Sequence, residues 1–302
     1  MIPGFLLIDK PEGPSSHDMV NLARRVFQIR RIGHTGTLDP FASGLLILCL
    51  GSATRLSEYL LHRDKSYTFE LILGQTSTTC DRTGEITMHS SLDRVKEISR
   101  ASLQEVLEAF AGPQEQIPPM YSAIKIKGKK MYEYAREGRD VKPDPRRVVI
   151  HSLNLLDFRP PDVVLEARVG AGTYIRSLGR DIGKKLGVGA YVTSLRRTSI
   201  GDLSVERAVS PENLAIDENG RFAGWMSVLE IFSDWPRIQL VGAELERVYH
   251  GNPVPREEPA AKGNAPFLIE DESGRVAAVG GCERNARSGW MIKPLKVFPP
   301  PG

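Results

Sequence analysis

Residues 33–50 read GHTGTLDPFASGLLILCL, so that a polar loop leads directly into six apolar residues. The apolar run Leu45–Leu50 predicts a β-strand buried on both faces and closed by Gly51. The loop before this strand carries one carboxylate, Asp39, and Pro40 follows it. A carboxylate held there can act on a bound substrate, although most Asp-Pro pairs in loops only make a local Asx turn. The loop by itself leaves both interpretations open.

The elements on either side of this stretch mix strands and helices. Phe5–Ile8 predicts a strand, and Ser15 with Asp18 predicts a capping box that begins a helix. Further elements are predicted as strands over Tyr67–Leu73, 148–156 and 163–169, a helix with a capping box at Ser102 and Glu105, and a helix over Thr173–Leu186 with Gly187 as its C-cap. No strict βαβ repeat appears, so we expect an α+β fold.

The composition of the chain changes near Trp235-Pro236. Beyond this point we expect a short helix over Ala243–Tyr249 and a hairpin of Phe267–Glu270 with Val276–Val279. The pattern is typical of a small β-barrel-like module. We therefore expect two domains, over residues 1–235 and 236–302.

Composition and charge exclude several classes of function. The 302 residues carry 40 Lys and Arg against 37 Asp and Glu, a net charge of +3, so polyanion binding requires local clustering. The three cysteines form no CxxC pair and the histidines no HxH or HxxxH pair, so we expect no metal site. The apolar runs are too short to span a bilayer, and the start of the chain does not resemble a signal peptide. We expect a cytoplasmic protein without a membrane partner.

Positive charge is concentrated between Tyr121 and Arg147. This segment contains nine Lys and Arg and four Asp and Glu, with Tyr132 and Tyr134 among them. Cations that neutralise phosphates, together with rings that stack on bases, are typical of an RNA-binding surface. An ordinary solvated surface has a similar composition.

Six segments, in order along the chain, carry a resemblance to one family. They are Leu7–Ser16, Gly33–Leu46, Lys65–Tyr67, Gln116–Ala135, Gly172–Leu178 and Leu195–Arg197. They resemble the motifs of the tRNA pseudouridine synthase B (TruB) family, which the dyskerin-type synthases share in part. The C-terminal segment resembles a PUA domain. The resemblance implies a pseudouridine synthase catalytic domain, with a mixed, largely antiparallel sheet flanked by helices, and a PUA module.

The resemblance also implies an activity and its catalytic residues. The family is an isomerase that converts uridine 55 in the T-loop of tRNA into pseudouridine, without metal or organic cofactor. Asp39 would be the essential carboxylate, acting either on C1′ as a nucleophile or on the C2′ proton. Arg176 would hold its charge, and Tyr67 would stack on the flipped uracil.

Further residues of the motifs would bind the substrate. His34 would lie against the RNA where the base flips, Leu195 would pack the pocket, and Lys10 would lie on the first motif loop. The basic insertion over about 115–147, with Lys125, Lys129 and Lys130, would grip the T-stem. The C-terminal module would contact the acceptor end. We expect a monomer with tRNA as its partner and no obligate protein partner.

Two other functions remain compatible with the same motifs. One is a non-catalytic tRNA-binding or tRNA-folding chaperone, and the other is a guide-RNA-dependent synthase of the dyskerin type. Asp81, in the turn Thr79–Gly84, either lies near the active site or simply closes that turn.

Overall fold

The computed structural model describes residues 3–122, 124–126, 128–137, 139, 141, 143–216, 222–261, 265–285 and 289–298. The strands are β1 Gly4–Lys10, β2 Ile32–His34, β3 Ser43–Leu50, β4 Lys65–Leu73, β5 Gln75–Ser77, β6 Ile86–Met88, β7 Gly112–Gln116, β8 Lys125–Ile126, β9 Lys129–Lys130, β10 Arg146–Arg159, β11 Asp162–Val169, β12 Ala190–Ile200, β13 Leu203–Ser204, β14 Trp225–Ser227, β15 Arg237–Gln239, β16 Val254–Arg256, β17 Phe267–Glu270, β18 Val276–Asn285 and β19 Gly289–Val297. The helices are α1 Ser16–Phe27, α2 Ser57–Leu61, α3 Leu92–Lys96, α4 Arg100–Glu108, α5 Met131–Arg136, α6 Ile175–Lys185, α7 Val228–Ile231 and α8 Gly242–Tyr249. Within these ranges, no helix is long and apolar enough to cross a membrane.

One large sheet organises the first three quarters of the chain. Within the described residues it has ten strands, in the order β14-β1-β3-β12-β4-β11-β10-β7, with β2 beside β3 and β13 beside β12. Strand β12 is parallel to β3 and antiparallel to β4, and the other neighbours are antiparallel. This confirms the predicted α+β class and the mixed, largely antiparallel sheet.

Helices cover one face of the sheet. Apolar side chains at helical spacing on α1, α4 and α6 pack against this face, represented by Val20, Leu107 and Ile182. They meet the inward-facing residues of the central strands, such as Leu48 and Phe69. The ends of these strands and helices carry the candidate site described below.

The opposite face of β1 and β3 is covered by the C-terminal module. Phe5 and Leu45 from the large sheet lie in one buried cluster with Leu268, Val279 and Phe298 from the last sixty residues or so. We call this cluster the shared core. The Nζ atom of Lys296 also lies 2.8 Å from Glu58 Oε1, across the same contact.

The C-terminal module has a sheet and a small core of its own. Its five described strands run in the order β15-β17-β18-β19-β16, and its curled shape is consistent with a PUA-like module. Val248 of α8 packs on this sheet against Phe267 and Ile292. The predicted helix and hairpin of this module are both confirmed.

The helix ends test two predicted capping boxes. The first is confirmed, because Ser15 Oγ accepts from Asp18 N at 3.2 Å and Asp18 Oδ2 accepts from Ser15 N at 2.8 Å. The second is wrong: α4 begins earlier, and Ser99 is its N-cap, accepting from Ser102 N at 3.0 Å. The real cap is also a serine, one turn upstream, and local sequence does not distinguish the two.

Candidate active site

A cavity of about 440 Å³ opens where the Asp39 loop, the large sheet and the start of α6 meet. Asp39 and Arg176 both line this cavity. Tyr67 and Leu195 contribute a ring and an aliphatic side chain from the neighbouring strands β4 and β12. The structure therefore brings together four residues that the sequence motifs single out.

Hydrogen bonds from α1 and from the turn before it fix the loop that carries Asp39. Ser16 Oγ accepts from Leu38 N at 2.8 Å and donates to Leu38 O at 3.0 Å. Gly13 N donates to Pro40 O at 2.8 Å. These bonds hold the backbone on both sides of Asp39, so the carboxylate has a defined position.

Lys10 belongs to this support. Its side chain is fully buried, and its Nζ donates to Pro11 O, Pro14 O and Pro40 O at 2.8, 2.9 and 3.4 Å. Burial lowers the pKa of Lys10 to about 8. In this structure Lys10 therefore braces the Asp39 loop from inside, and its contact with the substrate stays a prediction.

Arg176 holds both carboxylate oxygens of Asp39 with one edge of its guanidinium. The Nε atom lies 2.9 Å from Asp39 Oδ2, and Nη2 lies 3.3 Å from Asp39 Oδ1. Arg176 is 4% exposed, whereas Asp39 keeps 35% of its exposure because it faces the cavity. This planar fork suits a carboxylate in a way that a lysine does not.

The pKa of Asp39 reflects opposing effects. Burial raises it above the ordinary value of an aspartate, and the nearby Asp81 carboxylate raises it further. The Arg176 guanidinium acts in the other direction, because it stabilises the charged form. The net direction is upward.

Arg176 is itself fixed by three more groups. Its Nη1 donates to Thr79 O at 3.1 Å and lies 3.4 Å from Asp81 Oδ2. Its Nη2 also donates to Tyr121 O at 2.8 Å. Asp81 is therefore part of the site, as well as closing its turn by accepting from Thr83 N at 2.9 Å.

The first residues of the basic insertion pack against the start of α6. Gln116 is buried, and its amide donates to Tyr174 O at 3.1 Å and accepts from Tyr174 N at 2.8 Å. Ser177 Oγ donates to Ile117 O at 2.8 Å. Sequence reasoning did not assign a role to Gln116 or Ser177, because each acts through a partner about sixty positions away.

The remaining predicted substrate-binding residues are not among the described residues that line the cavity. His34 lies at the end of β2, outside the residues that line the cavity, and burial lowers its pKa. Lys129 pairs with Glu137, and its Nζ lies 5.0 Å from the centroid of the Tyr134 ring. The backbones of Lys125 and Lys130 pair between β8 and β9, and their side chains, like Lys127 and Lys142, lie outside the described part.

No group of three His, Cys, Asp or Glu side chains in the described ranges is arranged to hold a metal ion.

Family models match the chain over most of the large sheet. The model of the TruB family pseudouridylate synthase N-terminal domain matches residues 24–175, and that of the tRNA pseudouridylate synthase B C-terminal domain matches 176–218. A tRNA pseudouridine synthase B from Dechloromonas aromatica (strain RCB) is 42% identical over 280 residues, 92% of this chain and 91% of that protein. One from Burkholderia pseudomallei (strain 668) is 41% identical over 285 residues, 94% of this chain and 91% of that protein.

Solved structures share the fold at lower identity. A H/ACA RNP bound to a substrate RNA containing 2′-deoxyuridine gives a TM-score of 0.73 at 24% identity, covering 98% of this chain and 85% of that chain. An archaeal box H/ACA sRNP Nop10–Cbf5 complex gives 0.72, also at 24% identity, covering 98% and 86%. The fold is that of the pseudouridine synthases. Within this class, the chain belongs to the TruB family.

Proposed function

We propose that this protein is a tRNA pseudouridine synthase that isomerises uridine 55 of the T-loop, with Asp39 as its essential carboxylate. The observation that carries the proposal is the Asp39–Arg176 pair on the wall of a cavity that Tyr67 also lines. The similar proteins from Dechloromonas and Burkholderia are named for this activity on tRNA.

The reaction requires few chemical groups beyond these side chains. The N1–C1′ bond of the uridine breaks, the uracil turns, and a C5–C1′ bond forms while the C5 proton moves to solvent and N1 regains one. Asp39 either attacks C1′ or removes the C2′ proton, and both routes need its ionised form. The product is an isomer of the substrate, with no net oxidation or reduction, so the reaction itself requires no cofactor.

The electrostatics of the pair suit this role. A carboxylate in a cavity tends to bind a proton, since burial disfavours its charge. Arg176 opposes this by pairing with both oxygens, and Asp81 together with two carbonyls keeps Arg176 in place. Arg176 therefore acts at the reacting carboxylate, and Asp81 positions Arg176.

The cavity walls offer a place for the flipped base. A uridine in a stacked loop must leave the stack, which costs a few kcal/mol. Stacking on an aromatic ring returns about 1–3 kcal/mol per base. Tyr67 is proposed to supply that ring and Leu195 an apolar contact, since both line the cavity. His34, at the end of β2, is proposed to contact the RNA where the base flips.

The basic insertion is proposed to grip the T-stem, mainly through phosphates and 2′-hydroxyls. Lys129 is one of its described cations. The C-terminal module is proposed to reach the acceptor end. We further propose that the protein acts as a monomer without guide RNA or partner protein, because its similarity to the TruB proteins extends over nearly their whole length.

Release of tritium from a T-loop minihelix with [5-³H]uridine at the target position tests the proposal. Wild-type protein alone is expected to release tritium, and Asp39→Asn to bind the minihelix without releasing any. Asp9→Asn is the matched control, because Asp9 is a half-exposed aspartate paired with Arg196 outside the cavity, and it should retain activity. Binding without release by the wild type would instead favour the chaperone or the guide-dependent synthase.

A further inference from the structure

Arg197 is a buried cation that the mechanism above does not use. It lies in the central strand β12, is 1% exposed and lines the same cavity as Asp39. Its Nε donates to Leu45 O at 2.7 Å and its Nη2 to Gly36 O at 3.2 Å. Its hydrogen bonds thus go to backbone carbonyls, which carry no net charge.

The two arginines of the pair Arg196-Arg197 differ sharply in their partners. Arg196 points to the other side of the sheet, where its two Nη atoms bind the carboxylate of Asp9 at 2.9 and 2.7 Å. Within the described residues, no carboxylate lies within 4.0 Å of an Arg197 nitrogen. A buried charge without an opposite charge is costly, so its presence in the cavity indicates an anion that arrives with the substrate.

Lys65 adds to this positive field. It lines the same cavity, and its Nζ donates to Leu61 O and Arg63 O at 2.8 and 2.6 Å, again to carbonyls. Arg176 contacts both Asp39 and Asp81, so these three groups together carry one net negative charge when both acids are ionised. Within the described residues, Arg197 and Lys65 pair with no carboxylate, and both place positive charge on the sheet side of the cavity.

The register of the sheet places Arg197 beside the proposed base-stacking residue. Arg197 of β12 is the cross-strand partner of Tyr67 of β4, so their side chains project from the same face. Both side chains line the cavity. A uracil that stacks on Tyr67 therefore lies next to the Arg197 guanidinium.

Breaking the N1–C1′ bond creates a negative charge at that place. The bonding electron pair remains on uracil N1 and spreads to O2 and O4. At the same step the carboxylate of Asp39 loses its charge, either by bonding to C1′ or by taking the C2′ proton. The negative charge thus moves from the carboxylate that Arg176 holds to the ring beside Arg197.

We infer that Arg197, assisted by Lys65, stabilises the uracil anion after it detaches from the ribose. The inference rests on the proposed function. Preorganised charge aimed at a site where charge develops gives a large rate effect at little reorganisation cost. When C5 bonds to C1′, the ring donates the same electron pair to the new bond and the anion is consumed.

The test compares single-turnover rates of Arg197→Met, Arg197→Lys and the matched control Arg196→Gln. The substrates are a T-loop minihelix with uridine at the target position and the same minihelix with 5-fluorouridine, and the readout is loss of the target nucleoside. Arg197→Met is expected to lower the uridine rate about 10²- to 10³-fold, as for removal of one oxyanion-type donor. Arg197→Lys should retain most of the rate, and Arg196→Gln should equal the wild type.

Fluorine at C5 stabilises the departing anion by induction, so the deficit of Arg197→Met should be smaller with 5-fluorouridine. Minihelix dissociation constants, at low and high salt, should be unchanged. An equal deficit with both bases would overturn the inference and make Arg197 purely structural. Weaker, more salt-dependent binding at an unchanged rate would also overturn it and make Arg197 a phosphate contact.

Two further results keep the test decisive. If circular dichroism shows that Arg197→Met does not fold, the same comparison of substrates is made with Arg197→Lys, whose smaller deficit should also shrink with 5-fluorouridine. If the wild type converts neither minihelix, the proposed function fails rather than this inference.

Discussion

Replacing Asp81 by asparagine tests whether the active site depends on a carboxylate outside the cavity. Asp81 Oδ2 lies 3.4 Å from Arg176 Nη1, and the side chains are both 4% exposed. Its other oxygen, Oδ1, accepts from Thr79 Oγ1 at 2.7 Å and from Thr83 N at 2.9 Å. Asparagine can keep these bonds through its oxygen, but then its amide N–H groups face the guanidinium, donor against donor.

The expected loss of reaction rate follows from the contact between Asp81 and Arg176. A hydrogen bond to a charged group contributes about 1.5–3 kcal/mol, and a factor of ten in rate corresponds to about 1.4 kcal/mol. Arg176 keeps its contact with Asp39, so the full cost of orphaning a buried charge is not reached. We expect Asp81→Asn to lower the single-turnover rate of pseudouridine formation by about 10- to 150-fold.

The assay measures this rate with saturating protein, and the dissociation constant of the minihelix separately. Binding should be unchanged, because Asp81 does not line the cavity. The Asp81 charge also raises the pKa of Asp39, so the acid limb of the variant's pH profile should shift to lower pH. Asp9→Asn is the control that removes an ion pair elsewhere. A wild-type rate and pH profile for Asp81→Asn would show that Asp81 only closes its turn.

The pH dependence of the rate and the stability of the whole chain give two further predictions. Burial raises the pKa of Asp39 and lowers the pKa values of Lys65 and Lys10 to about 8, so the single-turnover rate should rise as Asp39 loses its proton and fall above about pH 8 as these two lysines lose theirs. A rate that stays constant well above pH 8 would contradict the role of Lys65. Leu268→Ala should destabilise the protein by about 2–5 kcal/mol while calorimetry still shows one unfolding transition, because Leu268 lies in the shared core. A second, independent transition for the C-terminal module would contradict this.

Local sequence patterns predicted the strands and helices whose signals lie within a few neighbouring residues. Leu45–Leu50 forms most of β3, which is buried almost throughout, and the hairpin of β17 and β18 lies where its turn residues indicate. The helix predicted over Thr173–Leu186 is α6, with the C-cap at Leu186 and Gly187 following at φ +72°. Each of these signals comes from neighbours in sequence.

The central strand β12 was missed for a reason that the structure explains. Two consecutive arginines interrupt its apolar pattern, and a charged pair normally argues against a central strand. Arg197 is accommodated by carbonyls of β3 and of the Asp39 loop, and Arg196 by Asp9 of β1. These partners are distant in sequence, so the local sequence pattern around Arg196 and Arg197 could not predict them.

The candidate site, like the fold, could be predicted from the sequence only in part. Asp39, Tyr67 and Arg176 were predicted through the family resemblance, and the structure shows that Asp39 and Arg176 touch. Neither composition nor spacing could have placed two residues so far apart in the chain within 2.9 Å of each other. Lys10 shows the opposite case, since a motif residue turned out to support the loop from inside.

The shared core joins segments that lie far apart in the sequence. Phe5 of β1 is buried together with Phe298. During synthesis Phe298 leaves the ribosome long after Phe5, so in the interval the outer face of β1 and β3 lacks its apolar cover. Contacts of such sequence separation form late and leave apolar surface exposed in the meantime. A polypeptide truncated before Leu268 would therefore contain Asp39, Tyr67 and Arg176 but leave its first strand uncovered, a species suited to chaperone capture or proteolysis.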